Sequence, residues 1–444
     1  MSSPEDLVCY SYDAAPVESS LPNVVVLPHS VVEVQDVVKF ASDNGLKIVP
    51  RGAGTGLSGG TVPIERGIVL AFTRMNRILE IDSDNFTALV EPGVITDTLS
   101  SVVEEKQLFY PPDPASSRVS TIGGNVAENA GGLRGLKYGV TKDYVLGLEV
   151  VLANGNVITT GGKMRKNVAG YDLTALMVGS EGTLGIITKA LLRLLPLPEV
   201  KKTIVAAFKQ ASDSTACISD ILSVNHIIPA TLEFLDRVTI RCVNDFLGAV
   251  LPQEAEVTLF IEVDGDKATA EEDAEKTVRI CQKNNAITVN MAKDSLEADA
   301  LTLARRSALP ALSRVRPTTI LEDVSVPPSK LAEMVNGVAL IGKENNIQIG
   351  IFGHAGDGNL HPTILTDSRD TGEMERVHKT IAEIFELVVR LGGAITGEHG
   401  IGIAKRKYLP MQLDHNALEA MKAIKHAFDP QNILNPGKIF ESEA

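Results

Sequence analysis

Tryptophan is absent from this chain and cysteine is scarce. Cys9, Cys217, Cys242 and Cys281 lie too far apart for any C-x-x-C spacing, which excludes a cysteine-held zinc or iron–sulfur site and leaves buried structural thiols as the expected role. Long apolar runs are missing as well: no segment approaches the roughly 18 residues that span a bilayer, and the start lacks the basic-then-apolar order of a signal peptide. A cytoplasmic protein is expected. Positive charge is the third shortage, since 42 Lys and Arg against 56 Asp and Glu leave a formal charge of -14. That balance argues against a general nucleic-acid or anionic-membrane surface. An anionic ligand would have to be gathered by a few local arginines or lysines.

What is present is an apolar content of 44% over 444 residues, enough to give two or three domains a core each. Val24 to Leu27 reads as a short strand, and Ser30 as the N-cap of a helix carrying Val31, Val34, Val37, Val38 and Ala41 at helical spacing until Gly45 ends it. A strand at Lys47 to Val49 leads into Pro50-Arg51-Gly52-Ala53-Gly54-Thr55-Gly56-Leu57-Ser58-Gly59-Gly60, where glycine forbids regular structure. Strands follow at Gly67 to Phe72, Ile78 to Asp82 and Thr87 to Glu91, then a helix from Thr96 to Glu105. Two further small-residue stretches occur, Ser116 to Gly132 and Gly179 to Gly185. Beyond Pro196 and Pro198 glycine thins out, and strands at Thr203 to Phe208, Ala230 to Leu235 and Val257 to Val263, with a helix at Asp213 to Val224, suggest an antiparallel sheet with helices on one face.

A loop dense in glycine and serine lets several backbone N–H groups converge on one oxyanion, which is what a pyrophosphate requires. Gly54 to Gly59 satisfy G-x-G-x-x-G, but that fingerprint must open a helix, whereas here Thr61-Val62-Pro63 and a strand follow. The context thus disfavours a Rossmann nicotinamide site. Taken together, Pro50-Arg51-Gly52-x-Gly54-Thr55, Pro112-Asp113-Pro114 with Thr121-Ile122-Gly123-Gly124-Asn125, Leu136-Lys137-Tyr138-Gly139, and Gly179-Ser180-Glu181-Gly182-Thr183-Leu184-Gly185 resemble the flavin-binding (PCMH-type) domain of the vanillyl-alcohol oxidase superfamily. From about Asp6 to Phe440 the chain is similar to the glycolate oxidase flavoprotein subunit and FAD-dependent D-lactate dehydrogenase family.

The resemblance implies an α+β fold: an FAD-binding domain over 1–198, a substrate or cap domain with an antiparallel sheet over 199–410, and a C-terminal segment over 411–444 that returns to the flavin at Asn435. It implies that the loop Arg51, Gly52, Ala53, Gly54, Thr55, Gly56, Leu57 and Gly59 wraps the FAD pyrophosphate. Pro112, Asp113, Ser116, Thr121, Gly123, Gly124 and Asn125, with Gly131, Tyr138 and Gly139, would lie near the flavin and phosphates, and Glu181, Gly182, Gly185 and Ile187 on the adenine and ribose side. Some superfamily members link the flavin to a histidine of the first loop. This loop has none, so non-covalent FAD is expected.

The second half carries its own signal in His354-Ala355-Gly356-Asp357-Gly358-Asn359-Leu360-His361, where turn residues between two apolar runs suggest a hairpin with both imidazoles at one end. Thr396-Gly397-Glu398-His399-Gly400 adds a carboxylate and a third histidine. Two histidines and a carboxylate suit zinc, manganese or iron(II) with positions open to substrate. The other histidines, His29, His226, His378, His415 and His426, are read as structural.

In the related dehydrogenases the matching positions make His354, His361 and Glu398 metal ligands and His399 the base. Arg305, with Arg306 second, is the candidate for gripping a substrate carboxylate. Relatives that prefer a second carboxylate place a lysine just before the strand entered here by Leu321-Glu322-Asp323, and since neither Leu321 nor Glu322 would attract that anion, a short D-2-hydroxy acid such as D-lactate or glycolate is expected. Its hydride would pass to flavin N5, and electrons would leave to a quinone, an iron–sulfur subunit or an electron-transfer flavoprotein. Such a partner could hold the protein at the inner face of a membrane. The alternative is a catalytically silent flavin-binding subunit of a larger complex, although such subunits lack the second-half histidines.

Overall fold

A computed structural model describes residues 1–441, which form two compact units. One comprises Met1–Gly131, Val140–Leu197 and the chain from Glu398 onward; the other comprises Gly132–Gly139 and Pro198–Gly397.

In the first unit the strands β1 (Val24–Val26), β2 (Ile48–Arg51) and β3 (Ile68–Ala71) form a parallel sheet in the order β1-β3-β2, with Val69 beside both Val25 and Val49. Ser30 caps the helix Val31–Asn44 by accepting from Glu33 N, and Gly45 ends it in the left-handed conformation. Such a cap contributes about 1 kcal/mol. Val34, Val38 and Ala41 face inward from successive turns and share a core with Ile48 and Leu70.

Antiparallel structure follows. β4 (Ile78–Asp82), β5 (Thr87–Val90), β7 (Val145–Val151), β8 (Val157–Gly161) and β9 (Ile186–Arg193) make a five-stranded sheet in the order β4-β5-β9-β7-β8. The short strands β6 (Leu108–Phe109) and β10 (Leu195–Pro196) pair as a ribbon. The stretch 116–132, read from composition as loop, contains a helix, Ile122–Glu128. Thr121 starts it by accepting from Gly124 N at 3.2 Å, and Asn129 ends it with φ of 53°. A good cap at each end offsets the poor helix propensity of Gly123 and Gly124.

The second unit is built on one eight-stranded sheet containing β11 (Val200–Phe208), β12 (Thr231–Asp236), β13 (Val257–Gly265), β14 (Thr288–Met291), β15 (Thr318–Leu321), β16 (Val324–Ser325), β17 (Gln348–His354) and β18 (Asn359–Thr366). Its path is β14-β11-β13-β12-β17-β18-β15, with β16 also on β18, and every pairing is antiparallel. Helices do not cover one face only, as the sequence suggested. Val205, Ala207, Phe260 and Phe352 pack with Ile240, Val243, Ala304 and Leu312 of the helical segments 237–247, 295–306 and 308–312. The alternate residues Ile204, Ala206 and Phe208 are buried too, and the helices Lys267–Lys283 and Leu331–Glu344 also pack on this sheet. Continuous burial along β11, in place of alternation, marks a strand covered on both sides.

Cys217, Cys242 and Cys281 are buried free thiols, whereas Cys9 is exposed, contrary to the structural role expected of it. The histidines set aside as structural, His29, His226, His378, His415 and His426, all lie on the surface.

Candidate functional site

Within the first unit the three glycine-rich segments converge on one cleft. Its wall takes Arg51, Gly52, Gly60 and Thr61 from the first segment, Thr121, Gly123, Gly124 and Glu128 from the capped helix, Glu181, Gly182 and Gly185 from the third, and Ile187 and Asn435 besides. The close approach of these segments requires glycine. A Cβ on Gly52 would collide with Thr121 Oγ1, and one on Gly182, at φ of 68°, would come within 2.5 Å of Pro50 Cγ.

The chain from Glu398 onward closes this assembly from behind. Asn435 Nδ2 donates to Gly60 O at 2.9 Å and to Glu181 O at 2.7 Å, so one amide fastens the first loop to the third. Ile48 N donates to Ile433 O and Asn435 N to Ile48 O, both at 2.7 Å, which lays the C-terminal segment along β2. The Glu181 carboxylate accepts from Ile401 N and Gly402 N, each at 2.7 Å. Burial leaves Asn435 Oδ1 and Glu128 Oε2 without hydrogen-bond partners among the described residues. A glycine-walled cleft with unmet polar atoms in its lining is suited to a polar, extended cofactor such as FAD.

Other residues assigned to the cofactor by resemblance do not line this cleft. Ala53, Gly54, Thr55, Gly56, Leu57 and Gly59 continue the first loop outside the cleft wall, and the Arg51 guanidinium turns back to donate to Tyr12 O at 2.7 Å and Thr61 Oγ1 at 3.0 Å. Pro112, Asp113 and Ser116 are not part of the lining, nor is Gly131. Asn125 Nδ2 is committed to Thr96 Oγ1 at 2.8 Å. Tyr138 and Gly139 belong to the second unit, where Tyr138 Oη donates to Asp264 Oδ2 at 2.7 Å.

The second unit holds a separate cluster of polar chemistry. The sequence 354–361 does form a hairpin, in which His354 pairs with Asn359 and His361 with Phe352, and the two imidazoles lie edge to face at 5.3 Å between centroids. Behind His354 is Glu233 of β12, fully buried, with Oε1 2.6 Å from His354 Nδ1. The other oxygen of Glu233 accepts from Arg305 Nε at 2.6 Å, and Arg305 NH2 pairs with it too. Arg305 also stacks over Phe352, 5.0 Å from the ring centroid, a contact that further fixes the guanidinium plane. Arg306, the next residue on the same last helical turn, is only half-buried.

Behind His361 is Asp323, with Oδ1 3.8 Å from His361 Nδ1. Asp323 is fully buried and accepts from Asn359 Nδ2 at 2.6 Å, Thr396 Oγ1 at 2.8 Å and Gly397 N at 2.8 Å. It therefore anchors the hairpin and also the residues that immediately precede Glu398 and His399. At His354 the Glu233 carboxylate on Nδ1 leaves Nε2 as the outward ligand atom, the usual arrangement behind a metal-binding histidine. The donor set of His354 and His361 suits a divalent ion. Glu398 and His399 open the return into the first unit, with His399 Nε2 3.7 Å from Glu398 Oε1.

Glu233 and Asp323 escaped sequence reasoning because nothing local marks them: each precedes its histidine partner by many residues, Glu233 meeting it across the β12–β17 pair and Asp323 from the link between β15 and β16. Glu128 was equally hidden, as an ordinary acid near the end of a glycine-rich stretch.

A glycine-walled cofactor cleft closed by the segment that carries Asn435, on this α+β framework, defines an FAD-binding oxidoreductase. The chain belongs to the FAD-linked oxidase family: residues 197–439 match the model for "FAD linked oxidases, C-terminal domain", and residues 22–161 match the "FAD binding domain" model. It is 56% identical over 435 residues to the glycolate oxidase subunit GlcD of Bacillus subtilis, covering 98% of this chain and 92% of that one. It is 38% identical over 419 residues to a D-lactate dehydrogenase of Archaeoglobus fulgidus, covering 94% and 91%. Among solved structures, p-cresol methylhydroxylase with substrate bound shares the fold at a TM-score of 0.81 and 19% identity, covering 99% of this chain and 93% of that one. No helix among the described residues is long and apolar enough to cross a membrane.

Proposed function

We propose that this protein is an FAD-dependent dehydrogenase that oxidises a short D-2-hydroxy acid, D-lactate or glycolate, to the 2-oxo acid. The observation that carries the reading is the buried Arg305–Glu233–His354 chain beside His361, which a mere flavin carrier would not need. The printed names of the relatives, a glycolate oxidase subunit and a D-lactate dehydrogenase, point to the same class of acid.

FAD, when bound, supplies a two-electron acceptor for the hydrogen on the substrate carbon. The chain's own groups have the remaining tasks. Arg305 binds the substrate carboxylate through the N–H groups that Glu233 leaves over, and Phe352 and Glu233 keep its plane from rotating. Arg306 is the second candidate for that task. His399 takes the hydroxyl proton as the carbon is oxidised. His354, His361 and Glu398 would hold a divalent zinc, manganese or iron ion, whose charge makes the hydroxyl proton easier to remove. Without a metal the two imidazoles would serve as hydrogen-bond donors to the acid. Neither Leu321 nor Glu322 would attract a second carboxylate, which favours a monocarboxylate.

The chain has no cysteine cluster to carry electrons onward, so they leave to a quinone, an iron–sulfur subunit or an electron-transfer flavoprotein. The purified protein should be yellow, and anaerobic addition of D-lactate or glycolate should bleach the visible flavin band. A yellow protein that no 2-hydroxy acid bleaches would sink the proposal.

A further inference from the structure

The wall of the cofactor cleft contains a carboxyl group with no task in the chemistry above. Glu128 is the last residue of the helix Ile122–Glu128, whose opening glycines, Gly123 and Gly124, line the same cleft. Its carboxyl is held between two glycines: a Cβ on Gly60 would come 2.9 Å from Oε1, and one on Gly400 would collide with Oε2. Oε2 is buried and has no hydrogen-bond partner among the described residues. We propose that Glu128 is a hydrogen-bond donor to the bound cofactor, its Oε2–H meeting an acceptor atom of FAD in this cleft.

The surrounding charges decide which carboxyl holds a proton. Glu181 faces Glu128; burial raises its carboxyl too, but two backbone N–H bonds, from Ile401 and Gly402, and the charge of Lys438 oppose that rise. Asp13 accepts from Ala15 N and lies near Arg51 and Lys438. The two cations are committed elsewhere, Lys438 Nζ to Val62 O at 2.7 Å and Arg51 to Tyr12 O and Thr61. Among the described residues Glu128 has neither a cation nor an N–H, and it faces two acids. Burial first, then Glu181 and Asp13, hold its carboxyl well above the ordinary range. A neutral acid in a dry wall can donate where a carboxylate could only repel the phosphates and carbonyl oxygens of a flavin nucleotide.

The proposal rests on FAD occupying the cleft. Its test is FAD binding to the full-length apoprotein, followed by flavin fluorescence from pH 6 to 9, with circular dichroism as the control for folding. Wild-type affinity should fall as the pH rises and Glu128 loses its proton. Glu128→Gln, which keeps a donor, should bind with a nearly flat pH profile. Glu128→Ala should bind roughly tenfold more weakly at low pH, the effect of one lost hydrogen bond. Equal affinity of Glu128→Ala and wild type at every pH would overturn the role of Glu128 alone, as would a Glu128→Gln protein as weak as Glu128→Ala. Should the alanine variant fail to fold, parallel pH profiles of wild type and Glu128→Gln would still overturn it. Failure of wild-type apoprotein to take up FAD at all would overturn the occupancy of the cleft, and the proposal with it.

Discussion

Glu233 Oε1 lies 2.6 Å from Nδ1 of His354, although 121 residues separate the two in the chain. The contact exists because β12 pairs with β17 in the register that sets Glu233 opposite His354. The same carboxylate holds Arg305, so one buried acid orients both the imidazole and the guanidinium. Replacing it with alanine would leave a buried arginine without its counter-ion, and a loss of about 3–5 kcal/mol in stability is expected by denaturant unfolding. Glu233→Gln keeps the shape and loses the charge. Its expected signature is a folded, yellow protein whose kcat/KM for the hydroxy acid is down by about 10–100-fold.

His399 is assigned the proton from the substrate hydroxyl. His399→Ala should leave FAD bound and abolish substrate-driven bleaching in anaerobic stopped flow. Fast reduction by the variant would remove His399 from that role.

Asn435 joins the first and third loops with two hydrogen bonds from a single amide. Asn435→Ala leaves Gly60 O and Glu181 O without that donor, which should cost about 1–3 kcal/mol and lower the melting temperature. FAD affinity should drop in parallel, because the same bonds space the cleft walls. Unchanged melting and affinity would show that the loops keep their positions without the clamp.

Asp236 caps the helix Arg237–Leu247 through Thr239 N, and burial pushes its carboxyl up to about 6 from 3.8. Because the folded value is the higher one, its contribution to stability is fully present below the unfolded value and is lost as the pH rises through about 6. Asp236→Asn retains a good cap and cannot ionise. Relative to the variant, wild type should therefore lose stability between about pH 4 and 7, by up to roughly 3 kcal/mol. Unfolding curves across that range check the sign.

Metal dependence can be read independently of turnover. If His354 and His361 help to hold a divalent ion, elemental analysis of native protein should find zinc, manganese or iron, and His354→Ala should remove it while the flavin stays. Metal at equal content in the variant would count against these ligands.

Local signals in the chain were strong where physics is local. Ser30 and Gly45 mark a helix by cap chemistry, and five glycines between Gly52 and Gly60 announce a close approach of backbone to something else. The turn residues at 357–359 foretold a hairpin, and the order of the motifs carried the α+β fold and the FAD-binding family. The same local reading failed at 116–132, where composition favoured a loop and two caps made a helix. It also missed the second covering layer of helices, since an apolar run does not say what will bury each face.

The sequence by itself determined which chemistry the chain could hold: glycine loops for a phosphate-bearing cofactor, three histidines, an arginine pair and no cysteine cluster. Tertiary structure alone decided how those groups are supported. Strand pairing set Glu233 behind His354, Asp323 tied the hairpin to the turn before Glu398, and the C-terminal segment carried Asn435 between two loops. Those are contacts between residues tens to hundreds of positions apart. They depend on sheet register and packing, in which the whole fold takes part, and no short stretch of sequence encodes them.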